Sequence, residues 1–199
     1  MKTMRLITQS LFAVLLLTLA SGCGHTFSQV PVHQVALTGG QVSPHHIALV
    51  LNQELATYQH KFVLVGGTDS YPIGDALQDY ARNVTTNSFQ QIDVVPSEEK
   101  AASLTSDDLI LIPRVVKSDT SFGHGKFTIT LVMEWTAKNR ASQNTIWLKT
   151  ITATASEKMG SAFTTLKHRR LLFQKAFDDL TPQTYKAFQE APELRGSQP

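Results

Sequence analysis

The sequence predicts an α+β domain: a largely antiparallel sheet of five or six strands, with two main helices packed on one of its faces. Three observations carry this. First, Lys126–Lys138, "KFTITLVMEWTAK", sets Phe127, Ile129, Leu131, Met133, Trp135 and Ala137 at every second position, the period of a long strand with one covered face. Second, Ile73, Ala76, Leu77, Tyr80, Ala81 and Val84 fall at helical spacing, on one face of a helix. Third, the apolar runs elsewhere are short enough for strands and are divided by turn-forming residues.

In chain order, His46–Leu51 is an apolar run suited to a buried strand, and Lys61–Gly67 is a second. The helix of the 73–84 stripe follows. Asp69 or Ser70 can cap it, Pro72 suits its first turn, and Asp75 favours its positive end. Gln90–Val95 reads as the next strand, stopped by Pro96, and "SEEKAASL" as one or two helical turns. Leu109–Ser118 is another strand, in which Pro113 cannot donate to a ladder, so a bulge or an edge position is expected there. After Lys126–Lys138, "NRASQN" makes a polar turn and Thr145–Ser156 returns as the hairpin partner. A long helix is expected from about Thr164 to Leu180, with Phe163, Leu166, Phe173, Phe177 and Leu180 as its apolar stripe. Thr181-Pro182 would then start a short final helix to about Glu190.

The N-terminus has a different character. Lys2 and Arg5 precede an apolar stretch too short for a comfortable membrane span, and small residues Ala20, Ser21 and Gly22 precede Cys23, the one cysteine in 199 residues. A lone thiol in an exported chain would be reactive or intermolecular. Residues 19–23 resemble the lipobox of bacterial lipoproteins, in which small residues precede an acceptor cysteine. The family usually has Leu three residues before the cysteine, whereas this chain has Ala20 there and Leu19 one place further back. The resemblance implies a signal peptide over 1–22 and a diacylglycerol thioether on Cys23, usually with a further acyl chain. That covalent lipid is the only group the sequence calls for; no cofactor is expected. Two or three chains hold a protein on a membrane where one would not. Gly24, in place of the Asp that marks inner-membrane retention in that family, implies the outer membrane, with the periplasmic face as the default.

Residues 23–44, with Pro31, Gly39, Gly40 and Pro44, read as a lipidated tether holding the domain off the membrane, with a short strand near Val35–Leu37. Residues 45–191 form one domain and 192–199 a frayed tail. Removing Lys2 and Arg5 with the signal peptide leaves 16 basic residues against 16 acidic ones. A neutral chain offers no electrostatic case for nucleic acid. The element order and the lipobox together are similar to small envelope lipoproteins of the fold shared by curli-secretion lipoproteins and the N-terminal domain of TolB.

Chemistry-bearing motifs are sparse. "VGGTDSYPIG" reads as a strand, a glycine-rich turn and a helix start, and lacks the lysine of a phosphate-binding loop. An ordinary strand-to-helix turn is the simpler reading, with Asp69, Ser70 and Tyr71 as candidates for a partner contact. No nucleophile elbow and no metal-binding histidine spacing occurs. His124, in a glycine-flanked loop, is a candidate contact or a solvated loop residue. "KHRR" at 167–170 is the densest basic patch. Lys167, Arg169 and Arg170 could meet anionic headgroups or an acidic partner, or form a solvated face with arginine stems over the core. Phe127, Trp135 and Trp147 on the long hairpin offer a surface for strand addition or oligomer contacts.

These readings favour a membrane-anchored, non-enzymatic accessory or assembly subunit of an envelope transport or secretion complex. Its partners would be an envelope protein complex or further copies of the chain. The alternatives are a lipid- or glycan-binding lipoprotein, or an envelope hydrolase whose site is assembled from scattered residues such as Asp69, Ser70 and His124.

Overall fold

The computed structural model describes residues 30–33, 40, 42–64, 67–106, 108–158 and 166–195. Cys23, the apolar run before it and the strand expected near Val35–Leu37 lie outside these residues. The elements are β1 (Ser43–Val50), α1 (Gln53–Ala56), β2 (Gln59–Leu64), β3 (Gly67–Pro72), α2 (Gly74–Thr86), β4 (Phe89–Val95), α3 (Glu98–Ser103), β5 (Leu109–Gly123), β6 (Lys126–Asn139), β7 (Thr145–Lys158) and α4 (Leu166–Glu190), closed by a 3-10 turn at Pro192–Leu194.

Five strands form one sheet in the order β4-β1-β5-β6-β7, and β2-β3 is a separate antiparallel pair. The long ladders β5–β6 and β6–β7 are antiparallel, while β1 runs parallel to both β4 and β5. The parallel part follows from the helices between these strands. The chain leaves β1 for β4 by way of α2 and comes back across β1 to β5 by way of α3. Two right-handed crossovers in opposite directions must lie on opposite faces. Accordingly α2 packs with α4 on the large core, and α3 covers a small cluster of Ala48, Val50, Val95, Ala101 and Ile110 on the other face.

The alternation along β6 places Phe127, Ile129, Leu131, Met133, Trp135 and Ala137 in the core, all essentially buried. Opposite them stand Leu77, Tyr80 and Val84 of α2 and Phe173, Phe177, Leu180 and Phe188 of α4. A polar chain crosses this core. The Trp135 indole N–H donates to the Tyr80 hydroxyl at 3.2 Å, Tyr80 hydrogen-bonds Thr184, and the Thr184 hydroxyl donates to the Leu180 carbonyl at 3.0 Å. Each buried donor therefore has its acceptor, and burial pushes the Tyr80 phenol well above its ordinary pKa.

Four expectations are corrected. Within "VGGTDSYPIG", Gly67–Pro72 is a strand and not a strand-to-helix turn: Asp69, Ser70, Tyr71 and Pro72 belong to β3, paired with Phe62, Lys61, His60 and Gln59. α2 begins at Gly74 without a side-chain cap, so neither Asp69 nor Ser70 caps it. Gly74 is required by space, since a Cβ there would stand 1.9 Å from the Ala56 carbonyl oxygen. Second, Pro182 does not start a new helix but lies inside α4. It has no N–H for the Asp178 carbonyl. The hydroxyls of Thr181 and Thr184 donate to the Phe177 and Leu180 carbonyls at 2.8 and 3.0 Å, and both halves of the helix bury side chains in one core. Third, the chain does not fray at Pro192, because Leu194 is buried in the same core. Fourth, the described part of the 23–44 segment is docked rather than free: Val30 is buried and Val32 packs on the core.

Of the two forms of the Pro113 expectation the edge position holds, while Pro113 itself pairs in register with Trp135. β5 pairs with β1 only over Leu109–Leu111, so Pro113 lies where that edge is free, and a bulge follows between Val115 and Lys117. The bulge flips the side-chain parity. Leu109, Leu111 and Val115 face the core before it, and Ser118 and Thr120 face the same side after it, opposite Leu131 and Ile129.

Candidate functional site

Ser118 and Thr120 meet the β2–β3 hairpin. His60 on β2 is fully buried, with Nδ1 2.5 Å from the Ser118 hydroxyl and Nε2 2.7 Å from the Thr120 hydroxyl. A neutral imidazole has one donor and one acceptor, so one hydroxyl accepts and the other donates. Burial holds the His60 pKa down at about 4, and the nearby Arg169 cation acts in the same direction against the opposing pull of Asp119. The ring also packs edge-on against Phe62, at 4.4 Å between centroids, and Phe173, at 5.0 Å.

Two residues distant in sequence, Asp69 and Arg169, come together beside this histidine. Asp69 stands directly across the hairpin from Phe62. The Arg169 guanidinium lies 4.6 Å from the Phe62 ring centroid and forms an ion pair with the Asp69 carboxylate. The Arg169 side chain is only 7% exposed, whereas Asp69 is half exposed. Phe173, one helical turn beyond Arg169, stacks on Tyr71 at 5.6 Å. The helix thus reaches into the hairpin with Arg169 and Phe173, at i and i+4, and meets Asp69 and Tyr71, at i and i+2 of a strand. This arrangement can fix the hairpin to α4. In the hydroxyl and imidazole pair beside it, Ser118 with His60, the His60 ring is fully buried.

The remaining candidates are dispersed. Tyr71 is fully buried and therefore is not a contact residue. Ser70 is half-buried on β3. His124 and Gly125 both have positive φ, 50° and 67°, and join β5 to β6 where Gly123 pairs with Lys126. His124 is thus the first central residue of a two-residue hairpin turn of the primed kind, and it is exposed. Within "KHRR", Arg169 turns inward, so the patch is not one basic surface. Arg170 remains half-buried at the surface with His168, and the side chain of Lys167 is outside what is described. Phe127 and Trp135 are core residues, and Trp147 is half-buried against Phe188, so the hairpin aromatics do not form an exposed docking surface.

His60 was missed by the sequence reading, and so was His33. Its ring lies 3.2 Å from Asp178 and 2.8 Å from the Gln174 amide, and its carbonyl accepts from the Asn83 side chain at 3.3 Å. His33 is therefore held between α2 and α4. Gly40 passes close to α4 as well, where a Cβ would meet the Tyr185 hydroxyl. Among the described residues no three His, Cys, Asp or Glu side chains converge as a metal ion would need, and no helix is long and apolar enough to cross a membrane.

Over β6 and β7 no element among the described residues covers the other sheet face. Thr128, Thr130, Val132 and Glu134 of β6 face Ser156, Thr154, Thr152 and Thr150 of β7. The β7 residues are exposed, and Leu148 at 55% and Val116 at 51% are among the most exposed large apolar side chains described.

No protein-family model matches the chain, and no curated protein sequence matches it significantly. Solved structures do match. Protein XCC0632 from Xanthomonas campestris, of family DUF330, superposes with a TM-score of 0.60 at 12% identity, covering 81% of this chain and 93% of that one. A minor lipoprotein from Acinetobacter baumannii matches at a TM-score of 0.43 and 16% identity, over 80% of this chain and 100% of that one. Lipoprotein GNA1162 from Neisseria meningitidis matches at a TM-score of 0.38 and 11% identity, over 66% of this chain and 97% of that one. At these identities what is shared with XCC0632 is the fold.

Proposed function

We propose that this chain is a lipid-anchored envelope lipoprotein, held on the periplasmic face of the outer membrane through Cys23. Its domain acts as a non-enzymatic accessory or assembly subunit of an envelope transport or secretion complex. The observation that carries this is the single cysteine at the end of the signal-like run, directly after Ala20, Ser21 and Gly22. Cys23 has no other evident role, and two or three acyl chains there give lasting attachment. The use of the chemistry-bearing side chains supports the non-enzymatic part. Asp69 and Arg169 are spent on each other, Tyr71 is core, and His60 is sealed between two hydroxyls. The surface left for docking is the hydroxyl-rich sheet face of β6 and β7.

The test is radiolabelled palmitate uptake, with crosslinking in native membranes, in wild type beside Cys23→Ser. Label in wild type alone, together with a defined set of envelope proteins crosslinked to it, is the expected result. Absence of label would overturn the anchor. Label without any crosslinked partner, across crosslinkers of different reach, would overturn the accessory role.

A further inference from the structure

Below its buried Arg169, α4 presents a shallow recess of about 230 Å3 lined by His168, Arg170, Leu171 and Gln174. We infer that this recess seats an anionic lipid headgroup of the membrane that carries the chain's own anchor. The inference rests on the lipid-anchor reading above and adds to it which side of the domain meets the bilayer.

The path of the N-terminal segment gives the first argument. Val30 is buried and His33 is held by Gln174 and Asp178. Cys23 is only seven residues before Val30, which at full extension spans about 25 Å. The free spacer is therefore far shorter than the whole of 23–44 would allow, and the domain has to sit close to the bilayer. From Gln174, where the docked segment touches α4, to His168 is six residues, about 9 Å along a helix. The recess is thus beside the place where the anchored segment meets the domain.

Its chemistry fits a phosphate diester joined to an acyl body. No acid lines it. Arg170 has no ion pair among the described residues, and its planar fork suits two phosphate oxygens. The charges next along the helix are already committed, Lys175 to Glu157 and Asp178 to His33. Leu171, 40% exposed between His168 and Gln174, offers an apolar contact at the level of the glycerol and first methylenes. Arg169, its neighbour in the same basic run, is spent inside the protein, so the run contributes Arg170 rather than a broad cationic patch.

The test uses the full chain carrying Cys23→Ser, which carries no lipid anchor and keeps the same N-terminal run in every variant compared. Vesicles of phosphatidylcholine are compared with vesicles in which a third of the lipid is phosphatidylglycerol, at low and high salt. Arg170→Gln in the same background shares any contribution of the N-terminus, and Lys186→Gln, a cation elsewhere on α4, serves as control. Stronger partition onto the phosphatidylglycerol vesicles, weakened by salt and reduced about fivefold by Arg170→Gln but not by Lys186→Gln, is expected. Equal partition onto both vesicles, or an Arg170→Gln chain that binds like its parent, would overturn the inference. So would inorganic phosphate alone displacing the protein at millimolar concentration, which would assign the recess to a free anion. A failed palmitate label in wild type sinks the anchor without bearing on these binding curves, so the two failures can be told apart.

Discussion

Lowering the pH should loosen the hairpin cluster through His60. The folded protein holds this ring neutral, with its pKa down at about 4 because burial penalises the cation and Arg169 repels it. An unfolded chain returns the ring to about 6.5. Between those values the unfolded state binds more protons, so the stability from burying neutral His60 is complete above pH 6.5. It is lost as the pH falls through 6.5 toward 4. Evaluating that difference gives about 0.2 kcal/mol of proton penalty at pH 7 and about 2 kcal/mol at pH 5. For a chain of this size the change corresponds to a fall in Tm of about 4–8 °C. The variant for comparison is His60→Gln, whose amide can still reach one of the two hydroxyls and which does not titrate. It should be less stable than wild type at pH 7. The gap should close by about 2 kcal/mol as the pH is lowered to 5, because wild type alone carries the proton penalty. Urea unfolding of both proteins at pH 7, 6 and 5 measures this directly. Parallel losses in the two proteins would refute the reasoning and mean that water reaches His60 in the folded state.

Three further outcomes follow from other contacts. Asp69→Asn leaves a buried guanidinium without its anion and should cost about 2 kcal/mol, whereas Arg169→Met keeps the stem over Phe62, strands only a half-exposed carboxylate and should cost less than about 1 kcal/mol; urea midpoints at pH 7 give the order. Tyr80→Phe removes the acceptor of the Trp135 indole N–H and should cost about 1–3 kcal/mol, read as a lower urea midpoint with an unchanged slope. Gly74→Ala forces α2 away from the Ala56 carbonyl and should destabilise by about 1–3 kcal/mol, seen as a lower Tm by circular dichroism.

Much of the fold was legible because two kinds of signal are local. The alternation from Phe127 to Ala137 and the helical stripe from Ile73 to Val84 each report a face that must be buried, whatever covers it. Both faces are buried where expected, and the two main helices share one side of the sheet. The N-terminal reading is local in the same sense, since it needs only the order of residues around Cys23. Boundaries and directions were less visible. "VGGTDSYPIG" carries turn residues that suit a hairpin as well as a helix start, and only the pairing of Asp69 with Phe62 and Tyr71 with His60 decides between them. Thr181-Pro182 has the composition of a helix start. It lies within a helix because burial on both sides of the proline outweighs one missing hydrogen bond.

The candidate site shows the division most sharply. The sequence by itself determined that the chain has one cysteine at the end of an apolar run, a strand-rich domain after it and a basic run at 167–170. It could not determine that Arg169 turns inward to Asp69 while Arg170 stays at the surface, or that His60 is sealed under a bulge in β5. Nor could it show that Val30 is buried in the core and that His33 pairs with Asp178 of α4. Those outcomes depend on partners 100, 58 and 145 residues away along the chain. Local periodicity records which face of an element is apolar, but a charge is satisfied by whatever the packed elements bring within a few ångströms, and that distance exists only once the tertiary structure has formed.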